Sequence, residues 1–228
     1  TFETPYGDLT EKLHMTPDEV WRTVEFAVKA PGDLKALRWL YENRVYEFSS
    51  ENFAQGAAFV GHRGEPQFWV PRSPYQALAL DWMRYETFIY ALTDSPDELV
   101  ATFEVINRSY DELYRQLCAA ENLHIVNYGE NVHAHLLPPS LFERYVLPWY
   151  EERSGQLRAA GKFTHVHIDG ACKPLLPYIK DMPFDGIEFC DRFRWIDVLS
   201  DAAFLAMDFA ARGHWEFSRS FINAYLER

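Results

Sequence analysis

The sequence predicts an α/β protein built from parallel βα units, and three observations carry this. Strand-like and helix-like stretches alternate through the middle of the chain. The strand-like stretches are continuous apolar runs rather than polar–apolar alternations, the pattern of strands covered on both faces. They also run into groups of His, Asp, Glu and Cys, and parallel folds collect their function at the C-terminal ends of strands.

In order, Thr16-Pro17-Asp18-Glu19 has an N-cap hydroxyl, a Pro at the first helical position and acids in a first turn, so a helix is expected over 17–27, with Val20, Trp21 and Val24 on its apolar side. Pro31-Gly32 ends it, and a short helix follows from Asp33 through Leu40. The run 57–60, Ala-Ala-Phe-Val, is expected as a buried strand opening onto Gly61-His62-Arg63-Gly64. Ser95-Pro96-Asp97-Glu98 starts a helix carried to about residue 120 by Leu99, Phe103, Ile106, Tyr110, Leu113 and Leu117. Residues 123–127 read as a strand, 141–160 as a helix kinked at Pro148 and stopped by Gly161, and 163–168 as a strand. A short helix over 174–182, a strand over 186–190 and two helical patterns, 196–211 and 215–226, complete the chain.

The net charge of −12 repels nucleic acid and anionic membranes, and no Lys/Arg cluster offsets it. No apolar run is long enough to cross a bilayer. The cysteines, Cys118, Cys172 and Cys190, are odd in number and sparse, which argues against a disulfide framework and for a reducing, cytoplasmic setting.

The strand-end rule selects His62 and Arg63; Glu130, Asn131, His133 and His135; His165, His167 and Asp169; and Glu188, Cys190 and Asp191. His167 and Asp169 share a strand face, with His165 deeper on the same parity. An imidazole and a carboxylate so placed can ligate zinc, can act as an oriented acid–base pair, or can make a structural hydrogen bond. Glu130 is a candidate catalytic and metal-binding carboxylate, and Asn131 and His135 are candidates for substrate binding. Cys190 is either a soft metal ligand or a small buried apolar residue. His62 and Arg63 are either an anion-binding pair or simply exposed.

Several stretches resemble uroporphyrinogen-decarboxylase-like proteins. Ala30-Pro31-Gly32-Asp33-Leu34-Lys35-Ala36-Leu37 resembles the family's K-T-P-E-D-L-K-A-L, and Thr4-Pro5-Tyr6-Gly7-Asp8-Leu9 its T-P-x-G-x-L hairpin. Asp94-Ser95-Pro96-Asp97-Glu98-Leu99-Val100 is similar to D-x-P-E-x-V, and Gly129-Glu130-Asn131 stands where the family often has G-D-D. Leu137 through Tyr150 is similar to I-S-P-E-L-F followed by V-L-P-Y-Y, and Ala160-Gly161-Lys162 with His167-Ile168-Asp169-Gly170 resembles A-G-K followed by H-x-C-G. The resemblance covers about residues 1–191 and implies a TIM (β/α)8-type barrel. With about four convincing strands the barrel is expected to be incomplete in this chain, which would begin after the family's first strand. A single barrel domain over 1–228 is expected, with 193–228 unassigned.

The resemblance aligns His167 with the metal-binding histidine of the family's methyltransferase branch, with Asp169 at a cysteine position. It implies zinc held by His167, Asp169, Cys190 and Glu130, and a methyl group moving between a corrinoid on a partner protein and a thiol or similar acceptor. The expected partners are a small-molecule substrate, that corrinoid protein and, as a homo-oligomer, a second copy of the chain. The alternatives are a cofactor-free decarboxylase of an acidic tetrapyrrole, whose family arginine motif is absent here, and a non-catalytic barrel that binds a partner. The strand ends near 127, 168 and 190 are expected to open onto one shared pocket.

Overall fold

The structure, a computed structural model, describes residues 1–130, 132–134, 136–168, 173–179 and 181–189, with backbone alone at 179, 188 and 189. The chain divides into two compact units, Thr1–Ile187 and Glu188–Arg228. Of the residues singled out from sequence, Asn131, His135, Asp169, Cys172, Cys190, Asp191 and the tail 193–228 lie outside the described residues.

A hairpin opens the chain: β1 (Lys12–Met15) pairs antiparallel with β2 (Trp21–Glu25). The helix expected over 17–27 is therefore absent. Thr16, read as an N-cap, closes the turn instead: its hydroxyl donates to the Val20 carbonyl (2.9 Å) and accepts from the Val20 N–H (3.2 Å). Glu19 takes a positive φ of 62° in that turn. Ser, Thr and Asp favour turns and helix caps for the same reason, a short side chain that hydrogen-bonds nearby backbone, so the signal cannot separate them.

Next come α1 (Leu34–Glu42), α2 (Ser50–Val60) and β3 (Gln67–Val70). The strand expected over 57–60 is the last turn of α2, whose N-cap Ser49 accepts from the Asn52 N–H at 3.3 Å. A four-residue apolar run fits a strand or a helix end equally well. The true first parallel strand is β3, seven residues further on.

After β3, α3 (Pro74–Gln76) widens into a π-type turn (Ala77–Trp82), followed by α4 (Tyr85–Asp94), α5 (Pro96–Ser109) and α6 (Asp111–Ala119). The single helix expected over 95–120 is thus two helices, broken at Tyr110. Then come β4 (Ile125–Glu130), α7 (Pro139–Leu141), a second π-type stretch (Phe142–Val146), α8 (Leu147–Ala159), β5 (Phe163–Ile168), α9 (Leu176–Ile179) and β6 (Gly186–Phe189). Pro148 sits at the start of α8, directly after the widened turn, because proline has no N–H to continue the α ladder. Gly161 ends α8 with φ 76°, as its composition predicts.

The sheet order is β3-β4-β5-β6. β3 and β4 are parallel, as are β4 and β5. Sequential parallel neighbours joined through helices are compatible with an arc of a TIM-type barrel. One sheet face carries Val126, Tyr128, Val166 and Ile168, all fully buried. Tyr128 meets Trp149, Tyr150 and Phe184 there at ring-centroid distances of 5.7, 6.2 and 5.0 Å. Strand alternation turns Trp69, Asn127, Gly129, His165 and His167 to the other face.

Candidate functional site

The C-terminal ends of β3, β4 and β5 lie side by side, with Trp69 paired to Asn127, Gly129 to His167 and Glu130 to Ile168. A cavity of about 700 Å³ lies at this end, lined among others by Trp69, Arg72, Gly129, Glu130 and His167. The structure therefore brings together two of the residues singled out from sequence, Glu130 and His167, at one end of the sheet.

Glu130 is fully buried. One carboxylate oxygen accepts the Ser73 N–H at 2.6 Å; the other accepts the Ser73 hydroxyl at 2.7 Å and the Tyr150 hydroxyl at 3.1 Å. Burial pushes its pKa up from 4.5 to about 7, while the Ser73 hydrogen bonds, the Arg72 charge and the Tyr150 hydroxyl hold it down. The group is poised between two protonation states near neutrality. Ser73 reaches it because Pro71 and Pro74 bracket the tight exit from β3, and Tyr150 because the first turns of α8 pack on that face.

His167 is partly buried on the opposite strand parity, edge-on to Trp69 with ring centroids 5.7 Å apart. Glycine at 129 leaves room for Trp69 there: a Cβ would stand 3.0 and 3.1 Å from two Trp69 ring carbons, and the ring would have to shift by a few tenths of an ångström. Arg72 donates to the Gly129 carbonyl at 3.1 Å and lies 3.5 Å from Asp81. Burial raises the Asp81 pKa and the Arg72 charge partly offsets it.

Arg44, Tyr41, Tyr46 and Trp82 line the same cavity. The Arg44 guanidinium lies over Tyr41, Trp82 and Tyr46 at 5.2, 5.5 and 5.9 Å from the ring centroids, and donates to the Tyr46 hydroxyl at 3.2 Å. Trp82 Nε1 donates to the Tyr41 hydroxyl at 2.7 Å, joining two of these rings.

His62 and Arg63 are not part of this cavity. They form a single 3-10 turn after α2, both exposed, and Arg63 donates to the carbonyls of Val60 (3.1 Å) and Phe59 in its own helix. The positively charged side chain satisfies helix-end carbonyls, a common role for a basic last turn. Arg44, Arg72, Trp69 and the tyrosines were not selected from sequence. The strand-end rule points to Arg72 once β3 is placed at Gln67–Val70. Nothing in the sequence points to Arg44, which follows a helix.

Zinc sites take about four ligands. Among the described residues no group of three His, Cys, Asp or Glu is placed to hold a metal. His167 suits one ligand position. Glu130 does not, since its oxygens serve Ser73 and Tyr150 and its proton is held to about pH 7. Asp169 and Cys190 lie outside the described residues, so no reaction step is derived through zinc. Nor is any helix of the described residues long and apolar enough to cross a membrane.

A methyltransferase from Methanosarcina mazei has a similar fold, with a TM-score of 0.52 at 13% identity, over 78% of this chain and 52% of that one. The chain thus spans about half the length of that protein. No curated protein matches it. The uroporphyrinogen decarboxylase (URO-D) family model matches residues 77–203, more than half of the chain, from the π-type turn after β3 through β4, β5 and β6. On that match, which takes in β4, β5 and β6, the chain belongs to the uroporphyrinogen decarboxylase family.

Proposed function

We propose that the chain forms the substrate cavity of a methyltransferase acting on a small molecule. The observation that carries this is the convergence of His167 and Glu130, from adjacent parallel strands, on one cavity of about 700 Å³. That volume suits a small ligand, and its position at the strand C-termini is where parallel α/β architectures place chemistry. The fold of the Methanosarcina mazei methyltransferase supports the choice of reaction. Zinc, and a corrinoid on a partner protein as methyl donor, are parts of the same proposal. His167 supplies one ligand position, and Asp169 and Cys190 are the residues proposed to complete it. Bound zinc would lower the pKa of a thiol acceptor toward neutrality. Within the described residues, Trp69 fixes the His167 ring edge-on, and Glu130 holds or releases a proton at the cavity wall.

A second reading, cofactor-free decarboxylation, draws on Arg44 and Arg72 in the wall, cations that suit a carboxylated substrate, and on Glu130, whose pKa near 7 suits proton transfer. Elemental analysis separates the two. Under the first, the natively purified protein carries stoichiometric zinc, the His167→Ala variant loses it, and the wild type methylates a simple thiol from a methylated corrinoid. A wild type without zinc, or zinc unchanged in His167→Ala, removes the zinc-assisted methyltransferase reading.

A further inference from the structure

We infer that Arg44 is a pre-organised anchor for an oxyanion, and that the cavity takes a small organic anion with a terminal carboxylate. This deepens the proposed function and rests on its reading of the cavity as the ligand site.

Three aromatic rings, Tyr41, Tyr46 and Trp82, lie 5.2 to 5.9 Å from the Arg44 guanidinium carbon. Tyr41 and Trp82 are themselves buried and tied by a hydrogen bond of 2.7 Å. The side chain is thus fixed by stiff, well-packed neighbours rather than left to sample rotamers. Ordering a free arginine on binding costs side-chain entropy, and that cost is already met here.

The Arg44 guanidinium has five N–H donors, and one goes to the Tyr46 hydroxyl at 3.2 Å. Among the described residues no carboxylate lies within ion-pair distance of Arg44. The cavity's other charged groups are committed or turned elsewhere: Arg72 to Asp81 and the Gly129 carbonyl, and Glu130 to Ser73 and Tyr150. Glu11 also lines the cavity, without an ion pair to Arg44. A partly buried cation with three rings around it and no carboxylate partner among the described residues is stabilised by a ligand that brings a charge-assisted partner. The planar fork matches carboxylate or phosphate in a two-bond geometry that lysine does not reproduce.

The order of preference follows from the walls. Trp69 and Trp82 offer flat apolar surface, so a carboxylate carried on a short carbon chain gains contacts that free inorganic phosphate does not.

The test is a titration of the chain with succinate, its uncharged counterpart succinamide and inorganic phosphate, followed by the fluorescence of the cavity tryptophans. Succinate is expected to bind about tenfold or more tightly than succinamide and more tightly than phosphate. Arg44→Gln should erase the preference over succinamide, Arg44→Lys should retain part of it, and Arg63→Gln, away from the cavity, should retain all of it. Near-ultraviolet circular dichroism of each variant checks folding, and Arg44→Lys keeps the test alive if the glutamine variant does not fold. A succinate preference that survives in Arg44→Gln overturns the inference, as does equal or absent binding of succinate and succinamide. Tighter phosphate binding, lost in Arg44→Gln, keeps the oxyanion anchor and overturns the carboxylate assignment. No metal, thiol or methyl donor enters this titration, so its failure is distinct from failure of the methyltransferase reading.

Discussion

A carboxyl group stripped of water and met by three hydrogen-bond donors feels opposing pulls on its proton, and at Glu130 desolvation wins: the pKa stands near 7 rather than 4.5. A group whose pKa is raised on folding stabilises the native state fully below its unfolded pKa and loses that stabilisation as pH climbs through the folded value. The interval from 4.5 to about 7, at about 1.4 kcal/mol per pH unit, amounts to on the order of 3 kcal/mol. Urea unfolding of the wild type should therefore show a fall in stability between pH 5 and pH 8, and Glu130→Gln, which has no proton to lose, should show a smaller one. An equal fall in both proteins would mean that other groups set the pH dependence. Glu130 was legible in the sequence as a polar residue at a strand end. Its donors were not, because Ser73 and Tyr150 come from 57 positions before it and 20 after, distances that only folding closes.

The elements divide by how local their causes are. β4, β5 and β6 are long enough in apolar content, and bounded sharply enough by Gly and Pro, to be found from sequence. The hairpin β1–β2 was not, because Trp21 and Val24 fall at spacings that a helix also allows. In the structure both are open to water, at 60% and 59% exposure. Replacing each with Thr should change stability by about 0.5 kcal/mol or less, the usual range for surface positions. Had they packed on a helix face, truncation would cost about 2 kcal/mol or more. Chemical denaturation decides: a large loss at either position would contradict the hairpin. The break between α5 and α6 has a tertiary cause of a similar kind. Arg153 of α8, 3% exposed, donates to the Asn107 side chain and carbonyl and to Asp111 at 2.8, 2.7 and 2.6 Å, satisfying backbone at the end of α5.

At the scale of the whole molecule, the net charge of −12 makes self-repulsion the dominant long-range electrostatic effect. Exposed ion pairs such as Arg115–Glu112 and Arg84–Glu86 contribute little against it. Raising NaCl from ~10 mM to ~150 mM shortens the screening length from about 30 Å to about 8 Å, so the midpoint of thermal unfolding should rise. A falling midpoint would show that specific surface pairs outweigh repulsion.

By itself, the sequence determined the α/β class, three of the four strands of the main sheet, the family, and two residues of the cavity wall. These follow from local causes: apolar run length, Gly and Pro punctuation, and the two-residue period of a strand. Only the tertiary structure decided that Arg63 donates to the carbonyls that end a helix, that Glu130 faces Ser73 and Tyr150, and that Arg44 joins the cavity at all. The physical reason is that a side chain's chemistry depends on which distant groups surround it. A carboxylate reads the same in any sequence until burial and its donors set its proton affinity. An arginine after a helix reads as solvated until three rings close around it.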